Sequence, residues 1–355
     1  MPKHSKFMSP SLLSEDNLIS NVLPMYNLKN AKLEQIKIKN TDKHRAVFKV
    51  SSSINKNYCL KKVYYSEEHL LFIYSALEWL SKRNVYVPRF LPTIDSNRYV
   101  NYSDMLFVLT PWVEGNKCSY DNISDIVNAS KTLANLHKKS KHFKPIPGSI
   151  VKKGYDNIYI SISKHFNKLL TCNNMAFLYK DKFSKLFLDN FDSNISLAQF
   201  SLEIASSIKT SNLTSSLCHG DYVNKNIIAD NTNNLWIIDF DKCCLDFIAH
   251  DISYYLRRLL KRDNTKWNVQ LAINCLKSYS EINPLSSDDL KYILVYLSFP
   301  QKYWKISRDY FNNIQKCNKT AFYSLLAKTT SKTEFQLKFV DEFCKDLRHE
   351  FNLNI

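Results

Sequence analysis

Apolar and polar positions along this chain alternate in one way before residue 115 and in another after it. Residues 46–52, AVFKVSS, and 57–64, NYCLKKVY, repeat with a period of two on either side of a polar turn at 53–56. That pattern predicts a hairpin of half-buried strands. From Ser66-Glu67-Glu68 the period lengthens. LLFIYSALEWL carries its apolar positions at helical spacing behind a serine suited to cap a helix, and Pro88 marks its end. Residues 98–102 and 105–109, MLFVL, predict another hairpin about Ser103-Asp104, and 11–37 predict a helix followed by the start of a strand. The pattern breaks at residues 110–115.

Beyond Gly115 the period is that of helices. In 121–138, Ile123, Ile126, Val127, Ala129, Leu133, Leu136 and His137 share one face. Residues 140–157 carry Pro145, Pro147, Gly148 and Gly154 and predict an exposed loop. Two or three helices are expected over 158–212, short strands at 226–229 and 235–239 around a polar turn, and helices from about 245 onward. The fold class is α+β. A small β-rich N-terminal lobe, 1–113, precedes a larger helical lobe, 114–355, with a hinge near 110–115.

Composition narrows the classes. The chain has 355 residues, 45% hydrophobic and 23% charged, enough apolar material for two cored lobes. No apolar run reaches the roughly 18 residues of a membrane span, and the N-terminus lacks a secretory signal pattern. Nine cysteines without a CxxC argue against a zinc site or disulfide framework and for a reducing cytoplasm. The net charge of +16 would attract polyanions. The lysines are spread rather than blocked, however, and no nucleic-acid motif accompanies them, so a diffusely basic surface is the reading and nucleic acid is not the expected partner.

The chemistry concentrates in His219-Gly220-Asp221-Tyr222-Val223-Asn224-Lys225-Asn226, followed by Ile237-Ile238-Asp239-Phe240-Asp241. The first segment fits HxDxxxxN, and the second ends an apolar strand on a carboxylate. Phosphoryl transfer asks for these residue types. One carboxylate orients the attacking hydroxyl, while a second carboxylate and an amide oxygen hold Mg²⁺ against the phosphates. Asp221, Asp239 and Asn226 fit those roles, and the short turn between the strands would let catalytic loop and metal carboxylate face each other. Lys61 is the expected strand lysine for the nucleotide phosphates, preferred over Lys62 because small Cys59 shares its face. A helix carboxylate should orient it: Glu68, with Glu67 and Glu78 as alternatives. In the break at 110–115, the Pro111 carbonyl and the Val113 N–H could bond an adenine, since proline lacks only an N–H that this scheme does not use. Residues 38–48 occupy the phosphate-loop position without a glycine, and no peptide-platform segment follows Asp239.

HGDYVNKN with IIDFD is similar to the aminoglycoside phosphotransferase and choline kinase superfamily. That resemblance implies a bilobal protein-kinase-like fold, ATP and Mg²⁺ as cofactors, and transfer of a phosphoryl group to a small-molecule hydroxyl. More broadly the chain resembles the CotS-type spore coat proteins of endospore-forming bacteria. YCLKKVYYSEEHLLFIYSALEWL, LTPWVEGNKCSY, LCHGDYVNKNII, WIIDFDKCCLDFIAHDISYYLRRLLKR and YLSFPQKYWKISRDYFNN carry the likeness from about residue 30 to 315. The resemblance implies a bracing role for Asp251 beneath the catalytic loop, and a place for Asp241 near a second metal. It also implies expression in the mother-cell cytoplasm, with assembly among other coat proteins. It leaves open a catalytically silent coat component that retains the fold. The acceptor is unspecified; Glu281, Asp288, Asp289 and Asp309 could favour a cationic one, or could form a solvated face.

Overall fold

The period-two segments form strands and the 66–81 segment forms a helix in a computed structural model that describes residues 10–39 and 45–354. In chain order the first elements are α1 (Glu15–Asn21), β1 (Lys32–Lys39), β2 (Arg45–Ser51), β3 (Asn57–Lys62), α2 (Glu67–Ser81), β4 (Val100–Tyr102), β5 (Met105–Pro111) and β6 (Asn116–Lys117). Next come α3 (Ile123–Lys139), α4 (Ile158–Tyr179), α5 (Lys182–Asp189) and α6 (Phe191–Ser206). Short strands follow: β7 (Ser215–Cys218), β8 (Ile227–Ala229), β9 (Leu235–Ile237) and β10 (Cys244–Phe247). The chain ends in α7 (Ile248–Leu260), α8 (Val269–Ser280), α9 (Ser287–Ser298), α10 (Gln301–Asn312), α11 (Lys319–Thr330) and α12 (Thr333–Phe351).

These elements sort into two compact units. The first takes the described part of Met1–Cys118 together with His142–Lys152 and Lys225–Asp241; the second takes Ser119–Lys141, Lys153–Asn224 and Lys242–Ile355. In the first, five antiparallel strands run in the order β1-β2-β3-β5-β4. Ala46, Phe48 and Val50 of β2 are buried on one face, with Leu60, Phe107 and Leu109, against Leu18 of α1 and Val22 just beyond it. Period-two geometry therefore turns Val47, Cys59, Lys61, Val108 and Thr110 to the opposite face. Ser103 and Asp104 both take left-handed backbone angles (φ 50° and 59°), which makes the β4–β5 turn as tight as expected. Helix α2 ends at Ser81, seven residues before Pro88, because the chain turns left-handed at Asn84 (φ 56°). β6, β8 and β9 form a separate three-stranded sheet in this unit.

The second unit is helical, as its period predicts. Aromatic stacking ties α5 to α10, with Phe183 on Tyr310 and Phe187 on Tyr303 at centroid separations of 3.8 and 4.9 Å. From Ile126 onward the α3 stripe is buried except at half-buried Val127, whereas Ile123, in the first turn beside the Asn122 cap, is 66% exposed. One expectation fails here. Residues 215–218 and 244–247 pair as antiparallel β7 and β10, so helix does not begin at 245. At four residues each, these strands are too short to show a period.

Candidate active site

The face of the first unit's sheet that lies opposite its core lines a cavity of about 220 Å³. Cross-strand pairing sets its wall: Val47 stands opposite Lys61, Lys61 opposite Val108, and Cys59 opposite Thr110. Ile73 and Leu77 of α2 and Phe90 extend the apolar lining. Burial holds the Cys59 thiol above its usual range, so it serves as a small neutral wall residue. Lys62, one position on, points to the opposite side and is 6% exposed.

The other end of this cavity is charged. The Lys61 ammonium donates to Asp239 Oδ1 at 2.8 Å and also to Asp241 Oδ1. Arg45, at the start of β2, donates from Nη2 to Asp239 Oδ1 at 2.7 Å and sets Nη1 3.3 Å from Asp241 Oδ2. Burial works against the Arg45 charge, yet Asp241 and Asp239 outweigh it and hold the guanidinium above its ordinary pKa. Asp239 follows β9 at φ 68°, a left-handed angle that aspartate tolerates better than most residues. Beside it, Ile238 N–H donates to the Asn226 carbonyl at 2.9 Å, tying the strand end that carries Asp239 to Asn226. Asn226, Asp239 and Asp241 all line the cavity. Two carboxylates and an amide form an all-oxygen donor set, which fits a hard divalent cation such as Mg²⁺.

Backbone at the apolar end is exposed to a ligand for a definable reason. Hydrogen-bonded pairs alternate with unbonded ones along an antiparallel ladder. Trp112 N–H donates to Asn57 at 3.0 Å and Val63 N–H to Leu106 at 2.9 Å, so the Pro111–Tyr58 pair is an unbonded one. The Pro111 carbonyl therefore points to the other edge of β5. On that edge β4 covers only Met105–Phe107, and Leu91 N–H takes the Leu109 carbonyl at 2.8 Å. Pro111 C=O and Val113 N–H come next along it, and both residues line the cavity. Proline costs nothing there, since its missing N–H would have faced away from β3.

The second unit holds the HGD turn. Gly220 has φ 72°, and a Cβ there would stand 2.5 Å from the Lys242 carbonyl oxygen, so the turn requires glycine. Asp251, in the first turn of α7, is buried and braces the turn. It accepts the His219 N–H at 2.6 Å and the Gly220 N–H at 2.9 Å, and lies 3.3 Å from His137 Nε2. Burial favours its protonated form, but the His137 contact and these donors prevail and hold its pKa below the usual carboxylate value. His137 is fixed in turn by Tyr279 Oη, 2.7 Å from Nδ1. Asp221 is 9% exposed. Its Oδ1 accepts from Tyr254 Oη at 3.1 Å, and Lys242 Nζ is 3.3 Å from Oδ2.

The model of the phosphotransferase enzyme family matches residues 40–274, two thirds of the chain. The chain belongs to this phosphotransferase family. Solved structures agree on the fold. An aminoglycoside phosphotransferase from Alicyclobacillus acidocaldarius superposes with a TM-score of 0.77 at 18% identity, covering 98% of this chain and 99% of that one. Amicoumacin kinase, in complex with AMP-PNP, Ca²⁺ and Ami, gives 0.61 at 14% identity over 94% and 95%. Spectinomycin phosphotransferase with ADP and spectinomycin gives 0.61 at 15% over 93% and 99%. The fold is therefore kinase-like, a β-sheet N-terminal region and a larger helical part.

In this member of the family, Lys61, Asn226, Asp239, Pro111 and Val113 line a single cavity, and Asp221 stands on a braced turn of the helical unit. Glu68 is not brought to Lys61. It lies at the surface on the first turn of α2, where a bond to Ser66 lowers its pKa, and Lys61 takes Asp239 and Asp241 instead. The alternatives are engaged elsewhere, Glu67 with Tyr99 and Glu78 with Arg89. Residues 40–44 of the expected phosphate loop lie outside the described residues, as do 1–9. Arg45 and Tyr254 were not singled out from sequence. Tyr254 is three residues after Asp251, so one turn of α7 carries both the brace of the HGD turn and the hydroxyl that donates to Asp221; that helical spacing is the available signal. Of the acidic residues weighed for a cationic acceptor, Asp289 caps α9 and accepts from Thr214, and Asp288 accepts from Asn212. Glu281 lies 3.6 Å from Lys131, and Asp309 pairs with Arg308.

Proposed function

We propose that this chain is an ATP- and Mg²⁺-dependent phosphotransferase acting on a hydroxyl of a small molecule or sugar, and that it works as a coat-associated protein of an endospore. The observation that carries the catalytic reading is the cavity of the first unit. One end is apolar with the Pro111 and Val113 backbone at a sheet edge beyond the reach of β4, and the other gathers Lys61, Arg45, Asn226, Asp239 and Asp241. Such a gradient suits a nucleobase at one end and phosphates at the other. Lys61 and Arg45 would give up carboxylates for phosphate oxygens. Asn226, Asp239 and Asp241 would hold Mg²⁺, which when bound neutralises charge on the transferring phosphoryl group. Asp221 would orient the acceptor hydroxyl and take its proton, with Tyr254 and Lys242 fixing its two oxygens. An Asp221→Asn variant is expected to keep Mg·ATP binding and to lose roughly 10²–10⁴-fold in phosphoryl transfer. Equal turnover would remove Asp221 from the role.

The coat assignment rests on the sequence likeness to CotS-type proteins, which extends through the α10 segment YLSFPQKYWKISRDYFNN. Its test is fractionation: the chain should co-purify with the coat of washed spores, and absence from that fraction would end the assignment. One observation favours a second reading, a silent coat component. Both carboxylates that would hold metal are already paired with Lys61 and Arg45. ATP binding that is indifferent to Mg²⁺ would support that reading over the first.

A further inference from the structure

The helical unit contains a cavity of its own, about 140 Å³, whose lining is strongly one-sided in charge. Arg257 and Lys261, one turn apart on and just beyond α7, line it with Lys302 of α10, Lys328 of α11 and Lys332 before α12. Among the described residues only Lys332 of these forms a salt bridge, to Asp263. Arg257 lies 3.9 Å from the centre of the Tyr296 ring and donates from Nη1 to the neutral Gln301 Oε1 at 3.2 Å. Its Nη2 is shut off from solvent and has no hydrogen-bond partner among the described residues. A guanidinium donor withheld from both water and protein is costly unless a ligand takes it.

Lys261 registers the same imbalance. Burial, and then the charges of Arg258, Lys302, Arg257 and Lys332, bring its ammonium down to about 8. Lys302 is lowered for the same reasons, burial first and then Lys332, Lys328 and Arg258. Trp267, Phe299 and Tyr303 supply apolar wall between the charges. An isolated cation on a surface is ordinary. Five around one cavity, with an orphaned buried donor among them, form a site shaped for negative charge.

We propose that this cavity binds a phosphate monoester of a small alcohol or sugar. A phosphate dianion offers three strong acceptor oxygens, suits a guanidinium fork, and neutralises several ammonium groups at once. Binding at this cavity does not depend on the catalytic reading. Identification of the ligand as the acceptor does rest on that reading, and α7 supports it. Arg258, beside Arg257, donates to Tyr254 Oη at 3.0 Å, and Tyr254 donates to Asp221. The acceptor would then be an anionic alcohol.

Calorimetric titration at fixed ionic strength tests binding, with inorganic phosphate and glycerol 3-phosphate as probes and glycerol as the neutral control. Both anions should bind wild type and weaken at least tenfold in Lys261→Gln/Lys302→Gln, while glycerol should give no heat. Circular dichroism melts would verify that each variant is folded. Amine labelling of Lys261 should also slow when phosphate is added to wild type. Absence of binding to wild type or undiminished binding in the double variant would each overturn the proposal. Failure of the catalytic reading would show separately, as a protein that binds phosphate but not Mg·ATP.

Discussion

The two cavities of this chain hold similar side chains in opposite states of balance. In the first unit, Lys61 and Arg45 are matched by Asp239 and Asp241. In the helical unit, Arg257, Lys261, Lys302 and Lys328 line a cavity without a salt bridge among the described residues. A matched cluster stays stable when its ligand is absent, and under the proposed function it would exchange partners on binding, cations moving to phosphate and carboxylates to metal. An unmatched cluster carries a standing repulsion that an anion relieves. The contrast separates a site built for exchange from one built for capture, and each side of it can be tested by substitution.

Removing Lys61 should have the largest effect on stability. Lys61→Met leaves Asp241, whose side chain is 6% exposed, with reduced compensation. A loss of about 2–3 kcal/mol is expected in denaturant titration, and a neutral result would mean the cluster is not matched as described. Arg45→Gln should act next and in another direction. With one competitor for the carboxylates gone, Mg²⁺ should bind several-fold more tightly in the absence of nucleotide, while ATP binds more weakly because a phosphate partner is lost. Unchanged metal affinity would show that Arg45 does not compete.

The smallest effect is expected at Lys261. Lys261→Met should be neutral or mildly stabilising at pH 7, opposite in sign to Lys61→Met. Its pH dependence has a definite sign. The folded-state pKa is lowered to about 8 from the usual 10.5. Between those values the unfolded chain therefore binds more protons, and stability rises with pH. Below about 8 the repulsion is fully present. Arg257, Arg258, Lys302, Lys328 and Lys332 face Lys261, with Asp263 held by Lys332. The stability gap between variant and wild type should close from pH 8 to 10, as thermal melts would show. A gap that stays constant would contradict the repulsion.

What could be read from the sequence follows the range of the interactions. Asp221 and Asn226 lie five positions apart in one short sequence segment, and Lys61 is fixed by strand alternation, so local spacing exposed them. The hairpins were legible because their turns are short. Arg45 was hidden because its partners are 194 and 196 positions away, and no local pattern marks an arginine at a strand start. The partner of Lys61 was misjudged for the same reason: the nearest helix offered Glu68, while the fold delivered Asp239 and Asp241. The basic cavity draws residues from 257 to 332 on successive helices, so its lysines looked evenly spread along the chain. β7 and β10 flank the HGD and IIDFD segments, but four residues give no period.

Under the proposed function, the balanced cluster of the first unit is a metal-dependent nucleotide site. Calorimetry of ATP binding with and without Mg²⁺, for wild type and Asp239→Ala, tests it most directly. The account predicts Mg²⁺-dependent ATP binding in wild type that disappears in the variant. Binding that ignores Mg²⁺, or that survives the loss of Asp239 unchanged, would contradict it.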